Sequence, residues 1–116
     1  MSFQNLIAFQ LAVDLTVLVY AETTTFPRPE IYGLTSQMRR AAISIVSNIA
    51  EGQGRITKGE MRQFLSHARG SLFELEAQSV VASRLGYLPE SALRTLELQM
   101  KRTNAAIRGL IGYTKR

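Results

Sequence analysis

Three features of this 116-residue chain predict an all-α fold, an antiparallel up-down-up-down four-helix bundle. Four stretches carry apolar residues at helical spacing, and short clusters of turn residues separate them. Nothing alternates for long with the period of two that a strand needs. Connections of under about ten residues make consecutive helices antiparallel neighbours. At this length the chain is one domain, residues 1–116.

The first helix is expected from about Asn5 to Thr24. Leu11, Leu15, Leu18 and Glu22 share one side, while Ala8, Phe9, Ala12, Val13, Val17, Val19 and Tyr20 cover most of the rest. A lone surface helix shows an apolar stripe about 100° wide. A helix apolar nearly all round needs cover on two sides, and with only four helices the second cover has to be another subunit. Pro27, Pro29 and Gly33 break the chain next, since no helix interior accepts them. The second helix runs from about Thr35 to Glu51 on Met38, Ala41, Ala42, Ile45 and Ile49, with Gly52 placed for a left-handed cap. Thr57 and Glu60 form a T-x-x-E capping box that opens the third helix. Its apolar face is Met61, Phe64, Leu65, Ala68, Leu72, Leu75, Ala82 and Leu85, and Gly86 stops it. Pro89 and Glu90 stand where helix starts prefer them. Leu93, Leu96, Met100, Ile107, Leu110 and Ile111 carry the fourth helix to the end.

Composition narrows the function classes. Apolar residues make up 46% and charged residues 20%, the balance of a folded globular protein. There is no cysteine, which removes disulfides, thiolate nucleophiles and Cys-based zinc sites and fits a reducing compartment. The net charge is +5 and the pI about 10.1, which favours polyanionic partners. Leu6 to Ala21 is the most apolar stretch, but Gln10 and Asp14 interrupt it. It is shorter than the roughly 20 residues of a membrane span and has no basic residue before it. A cytoplasmic protein with no membrane role is expected.

Catalytic and metal chemistry find little to work with. The only histidine, His67, has Phe64 three residues before it, so the Glu-x-x-His pairs of di-iron bundles do not exist. No metal or cofactor is expected, and no nucleophile triad can be assembled. Glu51, Glu74 and Glu76 could approach one another across the second and third helices, or pair with arginines such as Arg39 and Arg55. The segment from Glu51 to Gly59 holds glycines, Arg55, Lys58 and a helix start. It does not match a P-loop, which leaves an ordinary capped turn or an anion contact. Ser44, Ser47 and Asn48 interrupt the second helix and Ser71, Glu74 and Gln78 the third, as a mutual hydrogen-bond network would.

Basic residues concentrate on the fourth helix. Arg94, Lys101, Arg108 and Lys115 recur every seven residues with Arg102 and Arg116 beside them, and no acidic residue follows Glu97. Such a stripe serves solubility or forms a polyanion footprint, because phosphates reward clustered cations through counterion release. Only Tyr113 is an aromatic neighbour, so base stacking is not indicated.

Several blocks carry a family resemblance. Phe26-Pro27, Glu30-Ile31-Tyr32-Gly33-Leu34, Gln37-Met38-Arg39-Arg40-Ala41-Ala42, Ser47-Asn48-Ile49-Ala50-Glu51-Gly52 and Gly70-Ser71-Leu72-x-Glu74-Leu75 closely resemble the four helix bundle proteins. These are also known as the 23S ribosomal RNA intervening-sequence proteins. The likeness runs from Phe9 through Leu88, and the last helix shares only its periodicity. The resemblance implies a homopentamer with a central channel and a relationship to inserts in large-subunit ribosomal RNA genes. More distantly, it implies kinship with the accessory variability protein of diversity-generating retroelements, which binds nucleic acid and a reverse transcriptase. It brings no catalytic residues. Its polar positions, Arg39, Asn48, Glu51, Ser71 and Glu74, are either a structural network or a functional surface.

The expected function is thus a non-enzymatic, self-assembling scaffold that contacts RNA, DNA or a reverse-transcriptase-like protein. Arg94, Lys101, Arg102, Arg108, Lys115, Arg55 and Lys58 would make the nucleic-acid contacts. The alternative is a protein-interaction module with no nucleic-acid role. An enzyme would need a polar pocket around Asn48, Glu51 and Glu74.

Overall fold

The computed structural model describes residues 3–116 in backbone and 5–116 in side chains. Four long helices, α1 (Phe3–Thr23), α2 (Leu34–Gln53), α3 (Lys58–Arg84) and α4 (Glu90–Thr114), account for most of it, and no strand occurs among the described residues. The body measures 44 × 25 × 19 Å. At 1.5 Å per residue α3 is about 40 Å long, so the helices lie along the long axis. Each helix packs on its sequence neighbour and α1 packs on α4, while the diagonal pairs do not approach among the described residues.

The helix ends follow local chemistry. Thr57 Oγ1 accepts from the Glu60 N–H at 3.1 Å, the first half of a capping box. The second half differs, because the Glu60 carboxylate accepts from the Thr57 hydroxyl at 2.9 Å. At the end of α3, Tyr87 N–H donates to Ala82 O and Gly86 N–H to Ser83 O, both at 3.0 Å. This is a Schellman closure, and it needs the left-handed residue supplied by Gly86 at φ 80°. Gly52, expected as a left-handed cap, instead lies inside α2, buried where Met61 and Phe64 of α3 come close. Gly54 caps α2 at an ordinary φ of −77°. The proline-rich break is partly ordered as a short 3₁₀ turn, Arg28–Tyr32, which accepts Pro29 in its first positions. Glu30 on that turn accepts from the Leu34 N–H through one oxygen and from the Tyr87 hydroxyl through the other, each at 3.1 Å. One carboxylate thereby caps α2 and pins the α3–α4 connection.

The core is a column of Leu15, Ile45, Leu72, Leu75, Leu96 and Ile107 with smaller neighbours, all essentially sealed from solvent. Each large side chain so buried contributes about 1.5–3 kcal/mol. The face α1 turns inward is Ala8, Ala12, Leu15 and Val19, rather than the Leu11–Leu15–Leu18–Glu22 line. Alanines let α1 sit close to its neighbours. Leu85 of the expected α3 face points to solvent, past the last helical turn. Hydroxyls also enter the core: Thr16, Ser79 and Thr103 each donate to the carbonyl four residues earlier, at 2.8 Å. That bond satisfies a buried group within its own helix. Residues Asn5–Thr23 are long and apolar enough to cross a membrane by length and composition alone. This corrects the shorter span, Leu6 to Ala21, read from the sequence.

Candidate nucleic-acid interface and assembly surface

The polar positions of α2 and α3 do not form one network. Ser44 and Ser71 share a hydrogen bond of 2.8 Å across the two helices, and the Asn48 amide donates to the Ser44 carbonyl and hydroxyl. Glu74, exposed, lines one groove with that Ser44–Ser71 pair, together with Gln37, Arg40 and Gln78. Glu51 pairs with Arg55 one turn on. Arg39 crosses to α1, donating to Thr23 Oγ1 at 2.9 Å and lying over the Tyr20 ring. No groove gathers Asn48, Glu51 and Glu74, and Glu76 faces a different groove, between α3 and α4. Ser44 stands level with Ser71 and Gly52 with Met61 and Phe64, so Glu51 and Glu74 lie at different heights along the helix pair and do not converge. Among the described residues no group of three or more potential metal ligands exists, and His67 lies exposed with its ring near Phe64.

The α4 stripe divides. Arg94 pairs with Glu90 at 3.5 Å. Lys101 shares its groove with Glu97 and with Glu76 from α3, and Arg102 lies on the other flank with Asp14 from α1. Arg108 is exposed on the same helix. Acidic residues from other helices therefore border the middle of the stripe. The turn residues separate as well. Arg55 folds back onto Glu51 and the Phe64 ring, while Lys58 reaches Arg116 O at 3.4 Å and the face of Tyr113. Arg62 donates to Thr114 O at 3.2 Å, a contact that sequence spacing could not show. Lys58 and Arg62 thus meet the carbonyl end of α4, where a helix dipole attracts cations. Lys115 and Arg116 are exposed beside them.

The second surface is apolar. Along α1, Leu6, Ile7, Val17 and Tyr20 face outward, with Val17 64% exposed. Beside them on α4 stands Leu98, 50% exposed, across a groove of about 430 Å³ that includes Leu18 and Ala21. A further groove between α1 and α4 is lined by Ile7, Ala106, Gly109, Tyr113 and Arg116, where the apolar flank meets the basic end. Asp14, Thr95, Gln99 and Arg102 rim the first groove, and apolar exposure with a polar rim is the pattern that interaction sites commonly show.

A strand-free protein of four packed helices, with an apolar seam on one flank and cations gathered at one end, is the class these features define. The chain belongs to the 23S rRNA-intervening sequence protein family, whose profile matches residues 4–109. Among solved structures it is similar to a Bacteroides thetaiotaomicron protein of unknown function from the S23 ribosomal protein family. The two superpose with a TM-score of 0.85 at 15% identity, covering 95% of this chain and 99% of the other. At that identity the likeness concerns the fold. No curated protein matches the sequence.

Proposed function

We propose that this chain is a non-enzymatic, self-assembling scaffold, homopentameric, that contacts RNA through its basic surface. The apolar seam formed by α1 and α4 carries the reading. One copy leaves Val17, Leu98 and their neighbours in water, and a second copy that covers them removes that cost at about 25 cal/mol per Å². Five copies of a +5 chain would carry about +25, turning weak phosphate contacts into an avid surface. Membership of a family named for ribosomal RNA inserts supports RNA as the polyanion.

The up-and-down order of the helices belongs to the same reading. Arg39 at the start of α2 touches the end of α1, Gly52 at the end of α2 meets Met61 at the start of α3, and Arg62 at the start of α3 meets the end of α4. A cytoplasmic protein with no membrane role fits it too, with the apolar side of α1 covered by protein rather than lipid.

The experiment is a mass measurement in solution, joined to sequencing of the nucleic acid that co-purifies. A pentamer carrying RNA supports the proposal. A stable monomer at micromolar concentration would sink the assembly, and partner proteins that persist unchanged after nuclease treatment would favour a purely protein-binding module.

A further inference from the structure

The charge at one end of the molecule exceeds what the fold there requires. Lys58 and Arg62 from the start of α3 meet Lys115, Arg116 and the last carbonyls of α4. The end of a helix carries only about half a negative charge, so four cations overshoot it. Even a terminal carboxylate counted against them leaves an excess above roughly two charges. Among the described residues none of the four has an aspartate or glutamate carboxylate within ion-pair distance, since the two such pairs found are Arg55–Glu51 and Arg94–Glu90. The nearby Glu60 carboxylate, which accepts from the Thr57 hydroxyl, subtracts one more charge and still leaves an excess above roughly one. Like charges held together in water repel, and an arriving polyanion relieves that repulsion while releasing its own counterions. The middle of α4 differs, because Glu76, Glu97 and Asp14 border Lys101 and Arg102.

From this imbalance we infer that the RNA phosphodiester backbone docks on the end of the molecule where the start of α3 meets the end of α4. The contacts are made by Lys58, Arg62, Lys115 and Arg116, and not by the length of the α4 stripe. The inference rests on the RNA reading above and locates it. Lys58 is held in place by the Tyr113 face and Arg116 O, so it meets the phosphate with less freedom to lose than a solvated lysine. In an assembly, copies of this end on one rim would form a basic ring.

The test compares two variants of equal charge. One is Lys58→Gln, Lys115→Gln and Arg116→Gln together, which spares half-buried Arg62. The other is Arg84→Gln, Arg94→Gln and Lys101→Gln, all exposed and remote from that end. The probe is a labelled single-stranded RNA oligonucleotide, with affinity followed between about 50 and 200 mM salt. The first variant should lose about two units from the slope of log affinity against log salt, and the second less than half as much. Circular dichroism and solution mass confirm that both remain folded and assembled. Equal losses, or a wild-type slope in the first variant, overturn the location while leaving RNA binding intact. A wild-type protein that binds no RNA overturns the proposed function itself. If polyglutamate, but not RNA, is bound in a way that needs Lys58, Lys115 and Arg116, the partner is an acidic protein segment and the RNA assignment fails.

Discussion

Thr57 and Glu30 show how single side chains hold this fold at its turns. Thr57 satisfies an N–H at the start of α3 that would otherwise face the α2–α3 turn unpaired. Thr57→Ala should lower unfolding stability by about 1 kcal/mol in a denaturant titration. Glu30 does more, because it serves Leu34 and Tyr87 together. A Cβ at Gly33 would come within 2.6 Å of its Oε1, so Gly33→Ala should displace the carboxylate and loosen both contacts. Tyr87 carries a signature of the same contact. Its hydrogen bond to Glu30, then desolvation, then the negative charge of Glu30 raise its pKa above the ordinary tyrosine value of 10.0. The stabilisation is complete below the unfolded pKa and is lost as pH rises through the higher folded value. Thermal melts from neutral to strongly alkaline pH should therefore show wild type losing stability above about pH 10, with Tyr87→Phe losing less.

At the level of elements, α1 is the informative case. It buries Ala8, Ala12, Leu15 and Val19 and leaves Leu6, Val17 and Tyr20, of equal or greater bulk, outside. A core helix usually keeps most of its apolar bulk inward. Val17→Glu touches no core contact in the single chain, so helicity by circular dichroism should be retained while the solution mass falls. A fall in mass without unfolding is the expected result, and an unchanged mass would argue that α1 is not the assembly face. α3 and α4 illustrate a different point. Their junction is closed by Gly86, and Gly86→Ala should cost about 1 kcal/mol because a left-handed φ is forced on a residue with a Cβ.

For the whole molecule, the proposed assembly would couple to the proposed use of charge. If copies pool their basic ends, the gain in RNA affinity comes from effective concentration rather than from new contacts. Val17→Glu, which leaves every cation in place, should then weaken RNA binding at least tenfold in a titration at fixed salt. RNA affinity unchanged by loss of assembly would mean that one copy suffices.

Much of this protein is legible in its sequence. Helix periods, the Thr57 cap, the Gly86 stop and the net charge arise within a few residues of chain, where i, i+3 and i+4 relations hold whatever the rest does. The family was legible by resemblance, through the blocks around Ser44–Gly52 and Gly70–Leu75. The site was less so. Only packing set the rotation of α1 that leaves Val17 wet, and only packing brought Glu76 toward Lys101 and Lys58 toward Arg116. Those neighbours come from different helices, and their meeting depends on helix rotation and register, which close packing of the whole core decides. Local chemistry determined what the elements are; the shared core determined which charges stand together.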